Sequence, residues 1–140
     1  MRTLIVEDDF TCRKIMQHFL APYGECDIAV DGKEAVQAFK EALKNKTPYD
    51  LICLDIMMPE LDGHGVLKEV RALEVQHGFS EQNKVKVIMT TALSDSKNFI
   101  NAYQEKCEGY LIKPIDRNKL HELLVFLKLI PDGNKPFPGH

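Results

Sequence analysis

Residues 50–63 read DLICLDIMMPELDG. Four apolar residues, Leu51 to Leu54, run without interruption into an acid, Asp55, and the chain then passes Pro59 and the turn pair Asp62-Gly63. So short a run is a strand rather than a helix, and an unbroken run, unlike an alternating one, suits a strand covered on both faces. Beyond the turn pair, Val66, Leu67, Val70 and Leu73 recur at helical spacing, so the stretch reads as strand, loop, helix. A strand buried on both sides needs helices above and below it, which already indicates an α/β layer architecture.

The same unit repeats outward in both directions. Short apolar runs occur at Thr3 to Val6, Cys26 to Val30, Val85 to Thr90 and Tyr110 to Ile112. Between and after them lie helical stripes: Ile15, Met16, Phe19 and Leu20; Val36, Phe39 and Leu43; Phe99, Ile100 and Tyr103; and Leu120, Leu123, Leu124 and Leu127. Five βα units predict a doubly wound, five-stranded parallel sheet with five helices in a single domain. Asp116 is a candidate N-cap for the last helix. The polar segment Gly78 to Lys84 reads as a lengthened, exposed loop, and residues 131–140, with three prolines and two glycines, as a poorly ordered tail. The expected domain is therefore residues 1–130, with no room for a second one.

A chain of 140 residues can bury roughly two-thirds of its unfolded surface, so neither disulfides nor a structural metal are needed. Cys12, Cys26, Cys53 and Cys107 form no CxxC pair and read as reduced thiols. With 18 basic and 21 acidic residues, the net charge of −3 supplies no field for nucleic acid or an anionic membrane. No signal segment or membrane-spanning run is legible, so a cytoplasmic protein is expected.

Acids follow two of the predicted strands: Glu7-Asp8-Asp9 after the first and Asp55 after the third. The carboxyl ends of strands in an open parallel sheet line its ligand crevice, so these groups should converge. Two unit charges about 4 Å apart repel by roughly 4 kcal/mol at an effective dielectric of 20, and a hard divalent cation relieves that repulsion. Mg2+ fits, because it commonly takes one or two carboxylates and leaves positions for water and phosphate oxygens. The fourth strand closes with Thr90-Thr91-Ala92 and the fifth with Ile112-Lys113-Pro114, adding a hydroxyl and an ammonium at the same edge. Carboxylates, a metal, a hydroxyl and a lysine suit phosphoryl transfer, with an aspartate as the nucleophile.

The blocks LIVEDD, DLICLDIMMPELDG, VIMTTA and GYLIKP, in this order over residues 2–130, make the chain resemble a response-regulator receiver domain of two-component signalling, of the single-domain chemotaxis-regulator type. The resemblance implies a flavodoxin-like fold and a phosphorylatable Asp55. It also implies metal ligation by Glu7, Asp8, Asp55 and the Met57 carbonyl, with Asp9 as a helix-start residue instead. Thr91 takes the place of the switch hydroxyl, Lys113 of the lysine that contacts the phosphoryl group and Tyr110 of the switch aromatic, while Thr90 is core-directed and Lys113-Pro114 is cis.

The implied partners are a sensor histidine kinase or phosphotransfer protein and an unidentified downstream protein, met through the face that holds Phe99, Tyr103 and Tyr110. Such a domain is not an enzyme beyond its own phosphorylation and dephosphorylation. Asp55 and Thr91 are 36 positions apart, a few more than in compact members, and the excess fits the Gly78 to Lys84 loop. Alternatives are a phosphorelay intermediate, a degenerate receiver that acts only by binding, a flavin-binding carrier and an aspartyl phosphatase. The acids after strand one disfavour a flavin phosphate, and Met57 occupies the place where such a phosphatase has its second acid.

Overall fold

The computed structural model describes residues 1–92 and 107–131. The expected helical face at Phe99, Ile100 and Tyr103 and the tail 132–140 lie outside the described residues. The elements are β1 (Arg2–Val6), α1 (Phe10–Leu20), β2 (Glu25–Ala29), α2 (Gly32–Lys44), β3 (Leu51–Asp55), α3 (Gly63–Gln76), β4 (Lys86–Ala92), β5 (Gly109–Lys113) and α4 (Arg117–Phe126). The five strands form one parallel sheet in the order β2-β1-β3-β4-β5.

Successive strand residues face opposite sides, and the core divides accordingly. Leu4, Val6, Ile52, Leu54, Val87 and Met89 pack with Phe39, Val66, Leu67 and Val70 of α2 and α3. Ile5, Cys53, Ile88 and Leu111 pack with Met16, Leu20, Leu120 and Leu124 of α1 and α4. Every residue of β3 is buried, whereas the edge strands β2 and β5 are only partly so. Unbroken apolar runs therefore mark the interior strands.

Two helical stripes differ from expectation. Ile15 is exposed, since the contact line of α1 runs through Met16 and Leu20 with Phe19 beside them. In α2 the buried line is Ala35, Phe39 and Ala42, and Val36 and Leu43 pack only at its margin. Alanine's small side chain understates such a line in an apolar pattern, although it allows close helix approach.

Each of the four described helices begins on an aspartate. Asp9, Asp31, Asp62 and Asp116 accept backbone N–H bonds from Cys12, Glu34, Gly65 and the Asn118 and Lys119 pair, respectively. The reading of Asp9 and Asp116 as helix-start residues holds. The Gly78 to Lys84 loop carries a 3-10 turn at Glu81–Asn83 and feeds the start of β4, the pole opposite Asp55. All four cysteines are free thiols. Among the described residues no helix is long and apolar enough to cross a membrane.

Candidate functional site

Asp55 is the last residue of β3, and Glu7 immediately follows the last residue of β1. The chain runs from β1 to β2 on one side and returns to β3 on the other, so their carboxyl ends meet at the topological switch point. There the carboxylates of Glu7, Asp8 and Asp55 each offer an oxygen within 4.8 Å of the other two. Glu7 and Asp55 are each 3% exposed, while Asp8 is open to solvent. Hard oxygen donors, two buried and one at the mouth, are the set a Mg2+ ion prefers.

Lys113, the last residue of β5, brings its ammonium to 2.7 Å from Glu7 Oε1 and 3.4 Å from Asp55 Oδ1. It precedes Pro114 through a cis bond. Burial works against the ammonium, but the hydrogen bond to Glu7 and the charges of Asp55 and Glu7 outweigh it and leave the lysine above its ordinary value. Asp55 goes the other way for a carboxyl. Burial, then a hydrogen bond shared with Glu7 and the Glu7 charge, push it up to about 8 against the opposing pull of Lys113 and the Met57 amide.

Backbone contacts hold the acids. The Met57 amide donates to Asp55 Oδ1 at 3.3 Å, and the Ile56 amide donates to the Thr90 carbonyl at 3.0 Å, tying the end of β3 to β4. Gly63 packs directly beneath: a Cβ there would meet the Asp55 carbonyl oxygen at 2.6 Å and Ile56 Cα at 2.8 Å. Glycine at the start of α3 is thus required for close approach, which its reading as turn chemistry did not reveal. Asp9 accepts from the Cys12 amide and lies outside the acidic cluster. Burial and the bond to Asp9 push the Cys12 thiol up to about 11, so it is no thiolate nucleophile.

The other sequence candidates are Thr91, Tyr110 and Met57. Thr91 is fully buried and its hydroxyl donates to the Ala92 carbonyl at 3.3 Å, while Thr90, also buried, is the register partner of Asp55. Tyr110 lies near the start of β5 and is 42% exposed, and Met57 is half exposed. One residue that the sequence reading missed belongs here. Arg13 donates from Nη1 to the carbonyls of Glu7 and Asp8 at 3.0 and 3.4 Å. Its place one turn beyond the cap Asp9 was the available signal.

A family model of the response regulator receiver domain matches residues 3–125. A probable transcriptional regulator, ycf29 of Porphyra purpurea, is 37% identical over 122 residues, which is 86% of this chain and 53% of that protein. The regulatory protein VanRB of Enterococcus faecalis is 38% identical over 115 residues, 81% of this chain and 46% of that protein. The chain thus spans about half the length of these curated relatives, 53% and 46%. Among solved structures, the receiver domain of the sensor histidine kinase PA1611 from Pseudomonas aeruginosa, with a magnesium ion coordinated in its active-site cleft, is 26% identical with a TM-score of 0.70, covering 89% of this chain and 94% of that one. A Saccharomyces cerevisiae complex of the histidine phosphotransfer protein Ypd1 with the receiver domain of Ssk1 gives 27% identity and a TM-score of 0.77, covering 96% and 94%.

Proposed function

The chain belongs to the response regulator receiver-domain family, and from that premise we propose that it accepts a phosphoryl group on Asp55 from a histidine kinase or phosphotransfer protein. The observation that carries this reading is a buried carboxylate at the switch point, flanked by two further acids and 3.4 Å from a lysine. An Asp55 oxygen attacks the phosphorus, the bond from phosphorus to the donor imidazole breaks, and its electron pair leaves with the imidazole, which takes a proton from solvent. With a small acyl phosphate the breaking bond is P–O, and the leaving carboxylate keeps the pair.

Glu7, Asp8, Asp55 and the Met57 carbonyl would hold Mg2+, which neutralises the charge gathered on the phosphoryl oxygens. Lys113 supplies the second positive charge and Thr91 a hydroxyl donor to the acyl phosphate. Tyr110, three residues before Lys113 on an exposed edge strand, reports the change outward to a protein partner. The chain acts as a cytoplasmic phosphoacceptor and not as a turnover enzyme; its own charge gives no reason to invoke direct contact with nucleic acid or membrane. The named transcriptional role of the longer relatives stays with those proteins.

Incubation with a small acyl-phosphate donor and Mg2+ tests the assignment by intact mass. Wild type should gain one phosphoryl group and Asp55→Asn none. Equal labelling of the variant would refute Asp55 as acceptor.

A further inference from the structure

We infer that Arg13 is a positioning residue for the acids that would bind the metal, with Phe10 as its cover. The inference rests on the Mg2+ reading above. Sheet pairing of β1 ends at Val6, and the chain crosses Glu7 and Asp8 before Asp9 caps α1. The Glu7 amide is still anchored, donating to the Ala29 carbonyl at 3.1 Å. The next two carbonyls lie past the ladder, and Arg13 Nη1 takes both, at 3.0 Å from Glu7 and 3.4 Å from Asp8.

Those two carbonyls belong to the peptide planes on either side of the Asp8 Cα. Each plane is rigid, so fixing both fixes φ and ψ at Asp8 and with them the direction in which its carboxylate leaves the backbone. Asp8 is exposed, whereas Glu7 and Asp55 are held by burial and by Lys113. A charged donor makes the clamp stronger than a neutral one could. The exposure of Phe10, 62%, also acquires a reason: the guanidinium lies 5.5 Å from its ring centroid, with the Lys14 ammonium at 5.6 Å.

Clamp and charge make opposite predictions. A guanidinium bonded to the backbone of Glu7 and Asp8 repels a divalent cation held by their carboxylates, so if Arg13 acted through charge alone, its removal would tighten Mg2+ binding. If it acts by orienting Asp8, removal weakens binding. Calorimetric Mg2+ titration of wild type, Arg13→Ala and Arg13→Gln, with Asp8→Asn as the control for the site, separates these. Arg13→Ala should bind Mg2+ about tenfold more weakly, the lower end of what loss of a ligand-orienting partner costs. Glutamine, an uncharged donor, should recover part of the loss.

Saturating Mg2+ should restore the rate of phosphoryl acceptance in Arg13→Ala, so that the midpoint in Mg2+ moves and the maximal rate does not. Binding by Arg13→Ala as tight as wild type, or tighter, overturns the inference, and so does Arg13→Gln behaving no better than Ala. If wild type shows no Mg2+ binding that Asp8→Asn abolishes, the metal reading itself fails and the inference with it. Should Arg13→Ala fail to fold, Arg13→Gln and Phe10→Ala carry the comparison, and wild-type midpoints in both overturn it.

Discussion

The ammonium of Lys113 sits 2.7 Å from the Glu7 carboxylate, reaching across the two strands that separate β5 from β1. Without a cation in place, the lysine is the counter-ion of the acids. Its raised pKa means that this pairing stabilises the fold fully below the ordinary lysine value and is lost as pH climbs through the folded one. Lys113→Ala leaves buried acids unpaired and should cost about 3 kcal/mol in chelator, the low end for breaking a buried pair because the lysine is partly exposed. Mg2+ should then stabilise the variant by more than it does wild type, as no ammonium competes for Glu7. Urea unfolding with and without Mg2+ measures both, and an equal Mg2+ response would show that the two cations do not compete.

Asp55 carries the opposite liability. Its carboxyl, pushed up to about 8 by burial and then by Glu7, binds a proton more readily in the folded chain than in the unfolded one. Stability from this group is therefore greatest below the unfolded value near 4, falls as pH rises between the two, and is fully lost above about 8. Asp55→Asn should flatten that slope and melt higher than wild type at pH 8 in chelator, by on the order of 1 to 3 kcal/mol once screening by Lys113 and solvent is allowed for. Melting both proteins from pH 5 to pH 9 checks it, and a variant less stable than wild type throughout would contradict it.

Gly63→Ala should disturb the acceptor without touching any charge. The added methyl would lie 2.6 Å from the Asp55 carbonyl oxygen, a backbone atom that cannot turn aside. Overpacking of this kind costs about 1 to 3 kcal/mol, and here the shift must pass to Asp55. Phosphoryl acceptance should slow even where the protein is fully folded. Normal rates in a destabilised variant would mean that strain is absorbed in α3 instead.

The fold was legible because its unbroken strand runs and its helical spacing are carried by large apolar residues, as in β3 and along Val66, Leu67 and Val70. The acidic cluster was legible because strand ends converge in any open parallel sheet, so Glu7, Asp8 and Asp55 needed only their places in sequence. What escaped depends on contacts that no period encodes. Ala35 and Ala42 are too small to stand out, and Arg13 acts through backbone carbonyls. Gly63 matters for an atom it lacks. Glu74 is a subtler case, since it follows Leu67 by seven and Val70 by four and so falls on an apolar stripe, where a charge should have signalled a buried partner.

That partner leads to the last prediction. Glu74 is fully buried, its Oε1 lies 2.7 Å from Arg71 Nη1, and its Oε2 accepts from the Val85 amide at 2.7 Å. Arg71 in turn binds both oxygens of Glu108 at 3.0 and 3.2 Å and donates to the Val85 carbonyl at 3.0 Å, while Glu108 Oε1 accepts from the Val87 amide at 2.6 Å. On its β5 side, β4 finds a strand partner only from Ile88 onward, so these two carboxylates stand in for the missing strand at Val85 and Val87. Glu74→Ala therefore strands an amide and half-unpairs a guanidinium, and should cost about 3 to 5 kcal/mol, more than the lost side-chain packing alone would give. Glu74→Gln keeps an acceptor for Val85 but not the charge, and should fall between the two. Because the network lies at the pole opposite Asp55, Mg2+ affinity should be unchanged in both variants. Denaturant unfolding and Mg2+ titration together decide, and a Glu74→Ala loss within about 0.5 kcal/mol of wild type, the range of an ordinary surface change, would show that the carboxylate ladder does not hold the start of β4.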